Sequence, residues 1–414
     1  MDTYHTPLDL VRRRPSEGPV ACARPDRLAV AARWFQEHFS GETLYAVKAN
    51  PSPWVIDGLY AAGIRFFDVA SLPEIALVSE RCPGATLAFL HPVKSREAIR
   101  RAYFDYGVRI FALDCEDELA KIVAETQGAR DLTLIIRLAV SNAGAVMALA
   151  GKFGASAFDA PELIRKARAN AEELGVSFHV GSQCMDPMAY RAAMMEASRL
   201  IVRAGVTVDI VDVGGGFPSI YPGLTPPPMI SYVNAIEEAF EEMMVLENAD
   251  LWCEPGRALV AEACSVLTRV ELRKGDALYL NDGAYGCLFD AAHAKWPFPM
   301  RVWREDGEVR IDGPEGSPFR LFGPTCDSID SMPGPYDLPS DVREGDWIEI
   351  GMLGAYGTAM VTPFNGFGAV ETAAVRDFPW PSLYDAKPEH EPAAASSVVA
   401  FPRAKRRKTR MRRR

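Results

Sequence analysis

"TLYAVKANPSPWVIDGLYAAGIRFFDVA", residues 43–70, holds two textures in alternation. A short apolar run, "TLYAVK" (43–48), leads into the helix-like "PWVIDGLYAAG" and out into a second apolar run, "IRFFDVA" (64–70). β-branched and aromatic runs of this length suit buried strands, and a helix commonly stops at a glycine such as Gly63. The unit recurs as "TLAFLH" (86–91), "VRIFAL" (108–113), "LTLIIRL" (132–138), "VSFHVG" (176–181), "VDIVDV" (208–213) and "DLWCEP" (250–255). Helix-like stretches such as "LPEIALVSERC", "REAIRRAYFDYG" and "PELIRKARANAEELG" (161–175) lie between them. Eight strands alternating with helices over roughly 230–250 residues match a (β/α)8 barrel in count and length. An open doubly wound sheet is the competing layout and rarely reaches eight strictly alternating units in that span.

The barrel reading carries its own test, because such barrels place chemistry at the C-terminal ends of their strands. The polar residues at those ends are Lys48, Asp68, His91, Arg137, His179, the glycines 214–216 and Glu254. Their convergence on one rim predicts a single active site. Beyond residue 262 the texture changes to period-two alternation broken by Gly and Asp turns, as in "SVLTRVELRKGDALYLNDGAYG", "PMRVWREDGEVRIDG", "WIEIGML" and "GFGAVET". That pattern predicts a second, mostly antiparallel β domain. The expected divisions are an N-terminal segment 1–23 joining the β domain, a barrel over 24–262, the β domain over 263–384, and a linker with a basic tail over 385–414.

Composition sets the outer bounds. The 414 residues are 48% hydrophobic and 24% charged, an ordinary soluble balance, and no apolar run approaches the ~20 residues of a membrane span. The N-terminal "MDTYHTPLDLVRRRPSEG" lacks the apolar core of a signal peptide, so a cytoplasmic protein is expected. Eight cysteines stand singly with no CxxC pair, against a zinc site or disulfide framework. The last twelve residues, "RAKRRKTRMRRR", carry nine Lys/Arg and no acid; taken from the net −10, they leave −19 on the rest. The tail, preceded by the linker-like "AKPEHEPAAASSVV", reads as solvated chain, with contact to nucleic acid or another polyanion as the sharper alternative.

Lys48 poses the chemical question, since burying a lone ammonium favours loss of its proton. The glycines of "VDVGGGFP" (211–218) leave a strand and expose backbone N–H groups, and the loops after strands 7 and 8 are a common phosphate site in barrels. A tight turn is the plainer account of them. "CEPGR" adds Arg257, whose fork suits phosphate oxygens, and Glu254, a carboxylate ending an apolar strand and needing a cationic or N–H partner. A proton-losing lysine, a phosphate cradle and an acid opposite a ring nitrogen together suggest pyridoxal 5′-phosphate (PLP). His179 is then a flat ring able to lie against the cofactor face.

With "YAVKAN", "FDVAS", "IIRLAV…KFGA", "HVGSQ", "GGGFP", "CEPGR", "NDGAYG…FDAAH", "GPTCDSID", "GAYGTAM" and "FNGF" in order from about residue 20 to 370, the chain resembles the fold-type III PLP decarboxylases, an alanine-racemase-like barrel family, and most closely the ornithine/lysine decarboxylases. The resemblance implies that Lys48 holds PLP covalently, His179 stacks on the ring and Glu254 keeps the ring nitrogen protonated. It implies that Ser182, Gly215, Gly216, Arg257 and Tyr356 bind the phosphate, with Asp68 and Arg137 forming the polar shell near the lysine. It also implies a homodimer with shared sites. Cys326 from the second subunit would protonate Cα after CO2 leaves, and Asp327 from that subunit, with Asp290, would hold the substrate's distal ammonium.

Two distal carboxylates favour a terminal cation and repel a terminal carboxylate. No arginine is expected beside Asp290 or Asp327 to accept the extra carboxylate of diaminopimelate. The expected reaction is therefore L-ornithine to putrescine and CO2, in polyamine biosynthesis. Lysine is one methylene longer, and a methylene discriminates by only ~1–3 kcal/mol, so lysine or dual use is the near alternative. A catalytically silent homologue of the antizyme-inhibitor kind should have lost cofactor residues, whereas this chain keeps Lys48, His179, Glu254, Arg257 and Cys326. A single-domain PLP carrier should lack residues 263–380. The chain departs from the common "CDGLD" in reading "CDSID", and its basic tail has no counterpart in the family pattern.

Overall fold

The computed structural model describes residues 1–385 except 15, 150, 246–247, 305–308 and 311–315, with the backbone alone at 309–310. The linker and basic tail from 386 onward lie outside the described residues. Eight parallel strands close into a barrel: β1 (Glu42–Ala46), β2 (Phe66–Val69), β3 (Thr86–Phe89), β4 (Ile110–Leu113), β5 (Thr133–Arg137), β6 (Glu173–Ser177), β7 (Ile210–Asp212) and β8 (Asp250–Cys253). Closure comes from β8 pairing with β1, Trp252 opposite Glu42 and Cys253 opposite Thr43. Alternation along each strand separates two cores, as period-two geometry demands. Leu44, Ala88, Ile110, Ala112, Ile135, Ile210 and Trp252 fill the lumen, while Tyr45, Phe67, Phe89 and Phe111 face the surrounding helices. The barrel is thus a packed cylinder, and chemistry is confined to its rim.

The sixth strand departs from expectation. The helix expected over 161–175 ends at Arg168, and β6 starts at Glu173, three residues before the expected strand. Local propensity favours helix through "AEELG", but the slot between β5 and β7 imposes a strand paired in parallel on both sides. Gly175 faces the lumen there: a Cβ on it would lie 2.4 Å from Ile135 Cδ1 and 3.0 Å from Ile210 Cβ. The shift takes His179 out of the strand and into the turn that follows.

Ala145–Met147 and Ser182–Cys184 pair separately as a two-stranded ribbon, while ten further strands form a mostly antiparallel sheet. Its long central strand, Cys264–Lys274, pairs antiparallel with Val20–Ala23, Ala277–Leu280 and Trp347–Ile350. The N-terminal residues thus belong to this sheet. Glu371–Val375, from a segment read as antiparallel, instead runs parallel to both its neighbours, Val20–Ala23 and Thr3–Tyr4. Among the described residues no helix is long and apolar enough to cross a membrane, and no cluster of His, Cys, Asp or Glu could hold a metal ion. All eight cysteines are free.

A buried ionic knot fastens the sheet to the barrel's entry. Glu349 accepts from Arg24 at 2.7 Å, Ser265 at 2.6 Å, Arg301 at 2.5 Å and Trp303 Nε1 at 3.0 Å, while Asp377 engages both arginines. Burial pushes the Glu349 carboxyl up, but Arg24 and Arg301 outweigh it and hold the group below its ordinary value. Removing one partner of a buried ion network strands the others without compensation. Glu349→Leu should therefore lower stability by about 3–5 kcal/mol in chemical denaturation. A loss below about 1 kcal/mol would show that Asp377 alone satisfies both guanidinium groups.

Candidate active site

Strand β1 stops at Ala46, and Lys48 sits in a 3₁₀ turn, Val47–Ala49, not in the strand itself. Pro51 cannot extend the ladder, and Asn50 pins the turn by donating from Nδ2 to the Gly354 carbonyl at 2.9 Å. Tyr45 OH donates to the Asn50 carbonyl at 2.9 Å. Ala46 pairs with Asp68 across β1 and β2, which brings Lys48 Nζ to 3.1 Å from Asp68 Oδ2. The lysine side chain is 46% exposed and the aspartate 3%. The amine is thus reachable while its counter-ion is buried.

The expectation that burial would strip the Lys48 proton is reversed. Burial does push the amine down, but Asp68, Glu254 and Tyr356 outweigh it and raise it above its ordinary value. The neighbouring carboxylates could not be read from the lysine's own apolar segment. Asp68 is accordingly the nearest base that can hold the proton Lys48 gives up.

Glu254 follows β8, its N–H donating to the Gly214 carbonyl at 2.9 Å. It is 3% exposed, and its Oε1 is buried without a hydrogen-bond partner. Burial, then Asp212 and Asp68, drive its carboxyl well above the usual carboxylate range. His179 Nδ1 accepts from Gly181 N–H at 3.0 Å, and Asn142 Nδ2 donates to the His179 carbonyl at 2.8 Å. Burial, with Arg137 and Lys48 adding repulsion, keeps the ring neutral well below the ordinary histidine value. The proton must then sit on Nε2, because Nδ1 accepts.

The glycine triplet is dictated by close packing. A Cβ on Gly215 would lie 2.8 Å from the Glu254 carbonyl and 3.0 Å from His179 Nε2; one on Gly216, which has φ +108°, would lie 2.5 Å from the Gly181 carbonyl. Any side chain would push apart the β6, β7 and β8 loops. Arg257, 5% exposed, donates to Tyr221 OH at 3.0 Å and Ser182 Oγ at 3.4 Å, and lies 4.3 Å and 5.0 Å from the rings of Trp296 and Tyr356. Its Nε has no partner. Tyr356, at φ +55°, donates its N–H to the Ala49 carbonyl at 2.8 Å and so ties the β domain to the Lys48 turn.

Asp290 contradicts one expectation. An arginine does lie beside it: Arg257, at 3.4 Å from Asp290 Oδ2. The two are 33 positions apart and meet only through the fold, so the sequence alone hid the pair. Burial raises the Asp290 carboxyl against the pull of Arg257. His91, also on the expected rim, uses Nδ1 to accept from Val93 N–H and packs edge-on to Phe153.

Cys326 and Asp327 stand apart from this group. Cys326 is exposed, its N–H and Sγ at 3.2 Å and 3.1 Å from Asn365 Oδ1. Asp327 accepts from Tyr285 OH at 2.7 Å, which together with Ile329 N–H holds its carboxyl below the usual value. Exposed Ile329, Phe364 and Phe367 belong to the same two segments, 323–330 and 364–367. Sequence reasoning missed Asp330, which fixes the Cys326 loop by accepting from Thr325 N–H and Oγ1 and from Ala284 N–H. It also missed Asp212 and Tyr221. Asp212 had a readable signal, an acid inside the apolar run "VDIVDV".

Residues 27–261 match the pyridoxal binding domain of the pyridoxal-dependent decarboxylases. The lysine/ornithine decarboxylase of Selenomonas ruminantium is 30% identical over 380 residues, covering 89% of this chain and 92% of that protein. The ornithine decarboxylase of Caenorhabditis elegans is 33% identical, covering 85% and 86%. The crystal structure of an SrLDC mutant in complex with PLP superposes with a TM-score of 0.78 at 28% identity, covering 90% and 96%. A closed parallel barrel with a carboxylate-paired lysine on its rim and a mostly antiparallel second sheet defines the fold-type III class of PLP enzymes. The chain belongs to the pyridoxal-dependent decarboxylase family, and its cofactor is PLP.

The rim fits that cofactor on its own evidence. A reachable amine, a buried carboxyl oxygen without a donor and a buried guanidinium with an unpartnered Nε match an aldehyde, a ring nitrogen and a phosphate in turn.

Proposed function

We propose that this chain decarboxylates a basic L-amino acid, L-ornithine first, releasing putrescine and CO2. The observation that carries the reading is the Lys48–Asp68 pair on the rim shared with Glu254 and Arg257. When bound, PLP supplies an electron sink for the pair left on Cα as CO2 departs. Lys48 is the attachment point, and Asp68 Oδ2 receives the proton its amine releases. Neutral His179 lies against the ring without adding charge, and Arg137 completes the polar shell beside it. Glu254 holds a proton at the ring nitrogen, while Arg257, Ser182, Gly215, Gly216 and Tyr356 hold the phosphate.

The exposed Cys326 and half-buried Asp327 support a homodimer in which each subunit completes the other's site. Cys326 Sγ of one subunit then delivers a proton to Cα in the other, and Asp327 with Asp290 holds the distal ammonium. With Arg257 committed to phosphate, no other cation pairs with Asp290 or Asp327 among the described residues, which disfavours the second carboxylate of diaminopimelate. Lysine or dual use is the second reading, favoured by the S. ruminantium relative named for both substrates and by the small cost of one methylene, ~1–3 kcal/mol.

Supplying ornithine, lysine, arginine and diaminopimelate separately and measuring product tests the assignment. Ornithine should give the highest kcat/KM, with putrescine formed. A preference of about tenfold or more for lysine would overturn the first choice. Arg257→Ala should weaken cofactor binding by about 10–100-fold, with much of the activity regained at high PLP. Unchanged cofactor affinity would remove Arg257 from the phosphate site.

A further inference from the structure

Asp212 ends β7 inside the barrel wall and is fully buried. Its Oδ1 accepts from Gly214 N–H at 2.8 Å. Its Oδ2 has no donor in the chain, and neither has Glu254 Oε1. Asp212 lies opposite Trp252 in the β7–β8 ladder, two residues short of Glu254, so the two buried carboxyl groups end neighbouring strands and Asp212 opposes the charge on Glu254. Two like charges buried so close favour one proton on the pair, leaving one negative charge. Asp68 and Lys48 face Glu254, while Asp68 and Arg137 face Asp212.

We propose that Asp212 is a positioning residue for the cofactor: its buried carboxylate, beside Glu254, raises the proton affinity of the Glu254–ring nitrogen pair. The inference rests on the reading that Glu254 faces the ring nitrogen. The proton balance is simple: the one proton of the pair would leave a carboxyl O–H for the ring nitrogen, and both carboxyls would then be charged. The charge left on Asp212 then opposes its loss to solvent. Burial raises both carboxyls in the free protein, the direction this sharing requires. A purely structural Asp212 would need only its volume and its Gly214 bond. Asparagine supplies both and lacks the charge.

The test uses protein loaded with ring-¹⁵N-labelled PLP, following the ring nitrogen's chemical shift against pH in the unsubstituted chain, Asp212→Asn and Glu254→Gln. The ring proton should be lost at a pH lower by about 1 unit or more in Asp212→Asn, with a cofactor dissociation constant about tenfold higher. A titration and affinity equal to the unsubstituted chain's would overturn the proposal. Should Asp212→Asn fail to fold, Asp212→Ser, which also lacks the charge, is read by the same criterion. If Glu254→Gln also leaves the titration unchanged, the placement of Glu254 falls; if only Asp212→Asn does, the placement stands and this inference alone fails.

Discussion

Lys48→Ala should lower turnover by more than about 10³-fold and abolish the visible absorbance of the bound cofactor. The effect is large because Lys48 is the amine paired with Asp68 on the rim that also carries Glu254 and Arg257. Lys94, the buried lysine among the described residues, is bound up by Glu118 at 2.9 Å and by the His91 carbonyl. Lys48→Arg provides the contrast that isolates the cause. It keeps a cation against Asp68 but offers no amine for covalent attachment, and should be equally inactive. Full activity in either variant would refute the assignment.

Cys326→Ala should reduce kcat by about 10²–10³-fold and misdirect reprotonation while PLP stays bound, because the thiol is assigned only the proton delivered to Cα. Its exposure on the β domain, with Asn365 as its partner, places it where a second subunit could use it. Mixing Lys48→Ala chains with Cys326→Ala chains should then restore part of the activity, since one site of each mixed dimer has both residues intact. No recovery in verified heterodimers would count against shared sites. Loss of cofactor from Cys326→Ala, with clean residual chemistry, would count against its role.

The barrel was legible because period-two and helical textures alternate cleanly and strand ends carry the polar residues. The sixth strand was not, because "AEELG" is locally helical and only its two neighbours make it a strand. The identity of the rim residues could be read from strand position, but their electrostatics could not. Lys48 keeps its proton on account of Asp68 and Glu254, which are 20 and 206 positions away. The Arg257–Asp290 and Asp212–Glu254 pairs are likewise products of closure. Asp212 is hard to single out in sequence because an acid inside "VDIVDV" looks like part of the strand, and Glu254 comes near it only in the closed barrel.

Reducing the native protein with borohydride, digesting it and locating the cofactor by peptide mass is the most direct measure of the central claim. The account predicts a pyridoxyl group on the peptide containing Lys48 and on no other lysine. An unmodified Lys48 in protein that nonetheless decarboxylates its substrate would contradict it.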